Sequence, residues 1–198
     1  DLKEVIKDVL EEFDHKHLNL DTPYFSEQVP TPENFAWVLW RILNLRTEIG
    51  QLSLVKLSED EDLWVEVSGE ELTSSVTRRY RFSAAHEPVT EFEQTTALLS
   101  GHNYVLQVTV SGPVDPLTGM VTNLTALDGS VRERVLNRFD RRNLSQDTDL
   151  RARGGGGVAL LSVVADELLK SVDGGVLSRL RLLESDDTFY EYVPTRIS

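Results

Sequence analysis

The chain repeats itself, and that repeat limits the folds open to it. "FDHKHLN" at residues 13–19 lines up with "FDRRNLS" at residues 139–145. The apolar residues before each keep one helical face: Val5, Val9, Leu10 and Phe13 are echoed by Val131, Val135, Leu136 and Phe139. Farther along, "LSLVKLSEDEDLWVEV" from Leu52 matches "LSRLRLLESDDTFYEY" from Leu177, which sets Glu59 over Glu184 and Trp64 over Phe189. Any fold for this chain must use one pattern of helix, loop, helix and hairpin twice.

"TPENFAWVLWRILN", residues 31–44, opens with an N-cap threonine, a proline at the first helical position and a glutamate in the first turn, and predicts a helix. Its counterpart, "GGGGVALLSVVADELLKSV", puts glycines 154–157 where that cap stood. After each second helix, alternating apolar residues mark two strands around an acidic turn, "SEDED" or "ESDD". An opening hairpin is visible only for the second copy. There, residues 76–88 and 103–112 alternate as strands, and "SGPVDPLTGM" turns the chain toward a helix at 124–139. Residues 76–198 therefore read as a complete strand, strand, helix, helix, strand, strand unit, and residues 1–70 as the helix, helix, hairpin half of another. Such a half leaves a sheet edge and apolar surface unpaired, so another segment or chain is expected to complete it.

The formal charge of -13, from 33 acidic against 20 basic residues, repels phosphate backbones and anionic membranes and speaks against a nucleic-acid partner. No apolar run approaches the roughly 20 residues that span a bilayer, so a soluble cytoplasmic protein is expected, with no membrane partner. The chain has no cysteine, which excludes disulfides, thiolate metal ligands and a cysteine nucleophile.

The order of "FSAAH", "GHNY", "GPVD.LTGMV", "FDHKHLN" and "PTPEN", with strands that end in glutamate, resembles the tunnelling-fold family of 6-pyruvoyl-tetrahydropterin and 6-carboxytetrahydropterin synthases over nearly the whole chain. The resemblance implies an α+β fold in which an antiparallel sheet carries two helices per unit. It also implies assembly through the sheets into barrels, hence a homo-oligomer with pterin sites at subunit interfaces. The implied chemistry is removal of triphosphate from dihydroneopterin triphosphate, a small-molecule pterin, with rearrangement of its side chain.

In that family three histidines hold zinc, one closing "FSAAH" and two in a His-Gly-His before "NY". Here His86 and His102 match two of them, while Ser100 stands at the third, and serine is a poor zinc ligand. Thr96 occupies the position of the family's cysteine and cannot do thiolate chemistry near neutral pH. Asp14 and His15 match the family's proton-moving aspartate and histidine; the second copy keeps Asp140 but has Arg141 in place of the histidine. Glu59 and Glu184 both match the glutamate that grips the pterin ring, where a carboxylate accepts two parallel N–H bonds.

Each of these residues also has a plainer explanation. His86 and His102 can be polar rims of strands, Asp14 and His15 can end a helix whose dipole favours a histidine, and the glutamates can be turn residues. Arg141, Arg142, Arg151 and Arg153 gather ahead of the four glycines, either as an anion cradle for a triphosphate or as a solvated loop. Two functions compete: a zinc-dependent pterin synthase with sites shared between units, and a degenerate pterin-binding or structural subunit that completes an assembly.

Overall fold

The computed structural model describes residues 1–69, 73–87 and 99–195. These residues group into two compact units, one of residues 1–77 with 111–122 and the other of residues 78–110 with 123–198. Two long strands, β3 (Thr73–His86) and β4 (Ser100–Gly112), have residues in both.

In the first unit, α1 (Leu2–Glu11) buries Val5 and Val9, and α2 (Pro32–Asn44) buries Ala36, Val38, Leu39 and Trp40. The sequence signals that start α2 are all used: Pro32 opens it and the Thr31 side chain accepts from the Asn34 N–H. Phe13, just past α1, meets Phe35 edge to face with ring centres 4.9 Å apart. Strands β1 (Val55–Ser58) and β2 (Leu63–Ser68) form an antiparallel hairpin, and β1 lies at the end of the strand order.

In the second unit the strands run in the order β3, β4, β6 (Val176–Leu183), β7 (Phe189–Tyr192), while the short β5 (Arg142–Asn143) pairs in parallel with β3. The expected helix at 124–139 is continuous but not uniform. It begins as α3 (Leu124–Val131), widens into a π-helical turn at Arg132–Leu136 and closes with Asn137–Phe139. After it, α4 (Gly156–Leu168) starts at Gly155 with no side-chain cap, so its first N–H groups rely on other partners. Leu160, Val164 and Leu168 of α4, Val131 and Val135 beside them, and Leu180 and Leu182 of β6 are fully buried.

Corresponding elements of the two units share local geometry in detail. Val55 pairs with Val67 and Ser58 with Trp64 in one hairpin; Leu180 pairs with Tyr192 and Leu183 with Phe189 in the other. Both hairpins close with the same bonds, from the Glu59 N–H to the Leu63 carbonyl at 3.0 Å and from the Glu184 N–H to the Thr188 carbonyl at 2.9 Å. Among the described residues, the non-glycine positions with positive φ are His15 (54°) and Arg141 (57°), which the two "FD" motifs align. Left-handed backbone is costly for such residues, so its recurrence at matched positions reflects the same helix exit. The preceding aspartates close their helices alike: Asp14 N–H to Leu10 at 3.0 Å and Asp140 N–H to Leu136 at 2.9 Å.

One ion pair anchors the short helix Thr148–Ala152 before α4, which Asp147 caps. Arg138 reaches both oxygens of Asp147, at 2.8 and 2.9 Å, and Asp147 also accepts the N–H groups of Asp149 and Leu150. The Arg138 hydrogen bonds hold the Asp147 carboxyl below its ordinary value. We therefore expect Asp147→Ala to cost about 1–2 kcal/mol at neutral pH through the lost cap and ion pair. A group with a depressed folded pKa stabilises above its unfolded value and loses that contribution as pH falls. The gap between wild type and variant should thus hold above about pH 5 and shrink below about pH 4, as urea titrations across that range would reveal.

Candidate functional site

Three strand rows of the second unit end at one place. On β4, Leu106 and Tyr104 are buried on one face, and two residues farther His102 continues that face, followed by Ser100. On β3 the row runs Phe82, Ala84, His86, and on β6 it runs Leu180, Leu182 and then Glu184, the first residue of the turn. The rings confirm the cross-strand match: Phe82 stacks on Tyr104 with centres 5.3 Å apart, and His86 stacks on His102 at 5.0 Å.

Glu184 sits at the centre. Its Oε1 lies 3.2 Å from His86 Nε2 and 3.9 Å from His102 Nε2, and it accepts the Tyr104 hydroxyl at 2.9 Å. Its Oε2 accepts the Tyr190 hydroxyl, also at 2.9 Å. Burial alone pushes this carboxyl up, but the hydroxyls of Tyr104 and Tyr190 and the charges of His102 and His86 outweigh it and hold it below the ordinary value. The partners respond in turn: burial, then the bond to the Glu184 carboxylate, pushes the hydroxyls of Tyr104 and Tyr190 up, so both stay donors.

On the far side of its ring, His86 Nδ1 lies 3.1 Å from the Glu87 carbonyl, an oxygen that only accepts, so Nδ1 carries a proton. Ser100 Oγ lies 3.1 Å from His102 Nε2. Together His86, His102 and Glu184 place one ligand atom each within 4.8 Å of one another. Two imidazoles and a carboxylate are a donor set that zinc accepts, and a backbone carbonyl behind the outer ring nitrogen is the usual support for such a ligand.

The expected residues fall into two groups. His86, His102 and Glu184 come together in the second unit, although Glu184 was expected at a pterin ring. Asp14, His15 and Glu59 belong to the first unit and face solvent. His15 Nε2 stands 3.8 Å from Asp14 Oδ2, with the His15 side chain 95% exposed. Glu59 and Glu184 thus share backbone geometry but not side-chain surroundings. The second copy's Asp140 has a different occupation: it accepts the Ser83 N–H at 3.0 Å and ties its loop to β3. Thr96 lies outside the described residues. The arginine cluster is divided. Arg153 is held by Ser162 and Asp166, each at 2.7 Å, while Arg151 joins Gly154, Gly155, Gly156 and His86 around a cavity of about 300 Å³.

Tyr190 was not foreseen, although its parity with Glu184 across the turn was readable in "ESDDTFY". Its ring fills space that Gly157 leaves: a Cβ on Gly157 would collide with the Tyr190 ring. Glu33 has the same place in α2, second in its helix, and there it is 3% exposed and accepts the Val121 N–H at 3.2 Å. Burial, and to a lesser degree the charge of Glu59, pushes the Glu33 carboxyl up.

Helices packed on an antiparallel sheet, with a histidine pair at the strand ends, define an α+β protein of the tunnelling fold. The profile of the 6-pyruvoyl tetrahydropterin synthase family matches residues 1–70 and 75–195, and the chain belongs to that family. The 6-pyruvoyl tetrahydrobiopterin synthase of Homo sapiens is 32% identical over 139 residues, covering 64% of this chain and 96% of the human protein. The Pongo abelii enzyme of the same name is 33% identical over 136 residues, covering 63% of this chain and 94% of its own length. Among solved structures, the 6-pyruvoyl tetrahydropterin synthase of Caenorhabditis elegans superposes with a TM-score of 0.54 at 26% identity, over 62% of this chain and 96% of the worm protein. Among the described residues, no helix is long and apolar enough to cross a membrane.

If Tyr190 needs the space at Gly157, Gly157→Ala should lower the melting temperature even though alanine is the better helix former by about 1 kcal/mol. Adding Tyr190→Val should recover most of the loss. Strict additivity in the double-mutant cycle would contradict the contact.

Proposed function

We propose that this chain is a pterin-binding member of its family that acts on dihydroneopterin triphosphate, eliminating triphosphate at sites built from more than one unit. The observation that carries the reading is the family match over both stretches of chain, together with the convergence of His86 and His102 at the strand ends. Glu59 is the ring anchor in this reading: its carboxylate is exposed at a hairpin turn and can accept two parallel N–H bonds from a pterin. His15 carries the proton. It takes one from the side-chain carbon next to the departing C–O bond, the C–H electrons form a C=C bond, the C–O electrons leave with the triphosphate, and Asp14 supports the imidazolium. His86 and His102 would hold zinc, which when bound draws electron density from a substrate oxygen.

Two further features support the assembly part of the reading. The matched hairpin registers and helix exits fit an internal duplication, with residues 1–70 as the second half of one unit and 76–198 as a whole one. Strand β6 has partners on both sides, β4 and β7, whereas its counterpart β1 pairs with β2 alone among the described residues. A strand from another segment or another copy would fill that edge, as a homo-oligomer does. The alternative, a catalytically degenerate second unit kept for its sheet, is favoured by Ser100 at the third histidine position and by Arg141 at the place of His15.

Release of inorganic triphosphate from dihydroneopterin triphosphate decides between them. Wild type should turn over, His15→Ala should lose about 10²–10⁴-fold in kcat, and Glu59→Gln should mainly weaken pterin binding. A protein that binds the pterin with no triphosphate release would leave the structural subunit.

A further inference from the structure

The contacts around Glu184 do not balance without a positive charge. His86 Nδ1 donates to the Glu87 carbonyl, which turns Nε2 toward Glu184. Nε2 lies 3.2 Å from Glu184 Oε1, and Oε1 also accepts from Tyr104. Two acceptors at hydrogen-bond distance repel unless a proton or a metal ion lies between them. His102 brings a second ring nitrogen to the same oxygen at 3.9 Å, and the Glu184 side chain is only 12% exposed, so water screens the charge weakly.

Resting on the zinc reading above, we propose that Glu184 is the third metal ligand of this chain, taking over from the histidine that Ser100 replaces, and that Tyr104 and Tyr190 are the positioning residues that aim it. The chemistry fits the class: a two-histidine, one-carboxylate set holds zinc in other proteins and leaves a fourth position open. The two tyrosines place one donor on each carboxylate oxygen and leave a lone pair of Oε1 on the side of the two histidines, while Glu59 is the ring anchor of the reading above. Gly157 makes this possible, because the ring of Tyr190 fills the space beside it. Ser100 Oγ meets His102 at that same Nε2, at 3.1 Å, a contact that the metal would replace.

The test is zinc binding by the full chain, measured by metal analysis after dialysis and by competition with a chromophoric chelator, beside pterin binding by fluorescence. Wild type should hold one zinc per chain. Glu184→Gln should weaken zinc at least 100-fold while pterin binding persists, and Glu59→Gln should do the reverse. Tyr190→Phe keeps the ring in place, so it tests the aim of the carboxylate even if Glu184→Gln fails to fold; zinc affinity should fall about 10–100-fold, as for other groups that orient a ligand. Wild-type zinc affinity in Glu184→Gln with loss of pterin binding would overturn this inference and leave the proposed function standing. A wild type that takes up neither zinc nor pterin would overturn both.

Discussion

An imidazole nitrogen pointed at a carboxylate governs the second unit. His86 Nε2 and Glu184 Oε1 meet at 3.2 Å, with their other hydrogen-bonding capacity already committed to Glu87 and to Tyr104. The fold holds this contact in place through three parity rows of β3, β4 and β6, which stack apolar side chains until the strands end and then present polar ones. Phe82 on Tyr104 and His86 on His102 are successive steps of one cross-strand ladder. The packing of the core therefore sets the geometry of the polar cluster.

The two units show how one local backbone plan can carry different chemistry. Hairpin register, turn bonds and the left-handed helix exit agree, while the side chains around the two glutamates do not. In the first unit a buried Glu33 neighbours an exposed Glu59, whose charge adds to the cost of charging Glu33. In the second a glycine opens the helix, a tyrosine fills the space, and the turn glutamate has donors on both oxygens. Asp140 and Arg141 diverge in the same way from Asp14 and His15: the aspartate binds the backbone of β3 and the left-handed residue is an arginine.

Much of the fold was legible because it rests on periodicity and punctuation. Thr31 and Pro32 marked the start of a helix, and alternation marked β3 and β4 to within about three residues and the hairpin of β6 and β7, though not the two-residue β5. His86 and His102 could be paired from sequence because each ends a two-residue row. The π-helical turn at Arg132–Leu136 was not legible, since its residues keep an ordinary helical pattern. Nor was the position of Glu184 among the histidines, because nothing in the sequence says that β6 lies beside β4, and the alignment with Glu59 pointed to a pterin ring. Tyr190 was hidden for a related reason: its meaning depends on the absence of a side chain at Gly157, a non-local fact.

An experimental structure of the zinc-soaked protein with anomalous data at the zinc edge tests the central claim most directly. One peak is expected about 2.0–2.2 Å from His86 Nε2, His102 Nε2 and Glu184 Oε1, with both tyrosines still on the carboxylate. A peak bound by the histidines alone, with Glu184 swung away from them, would contradict it.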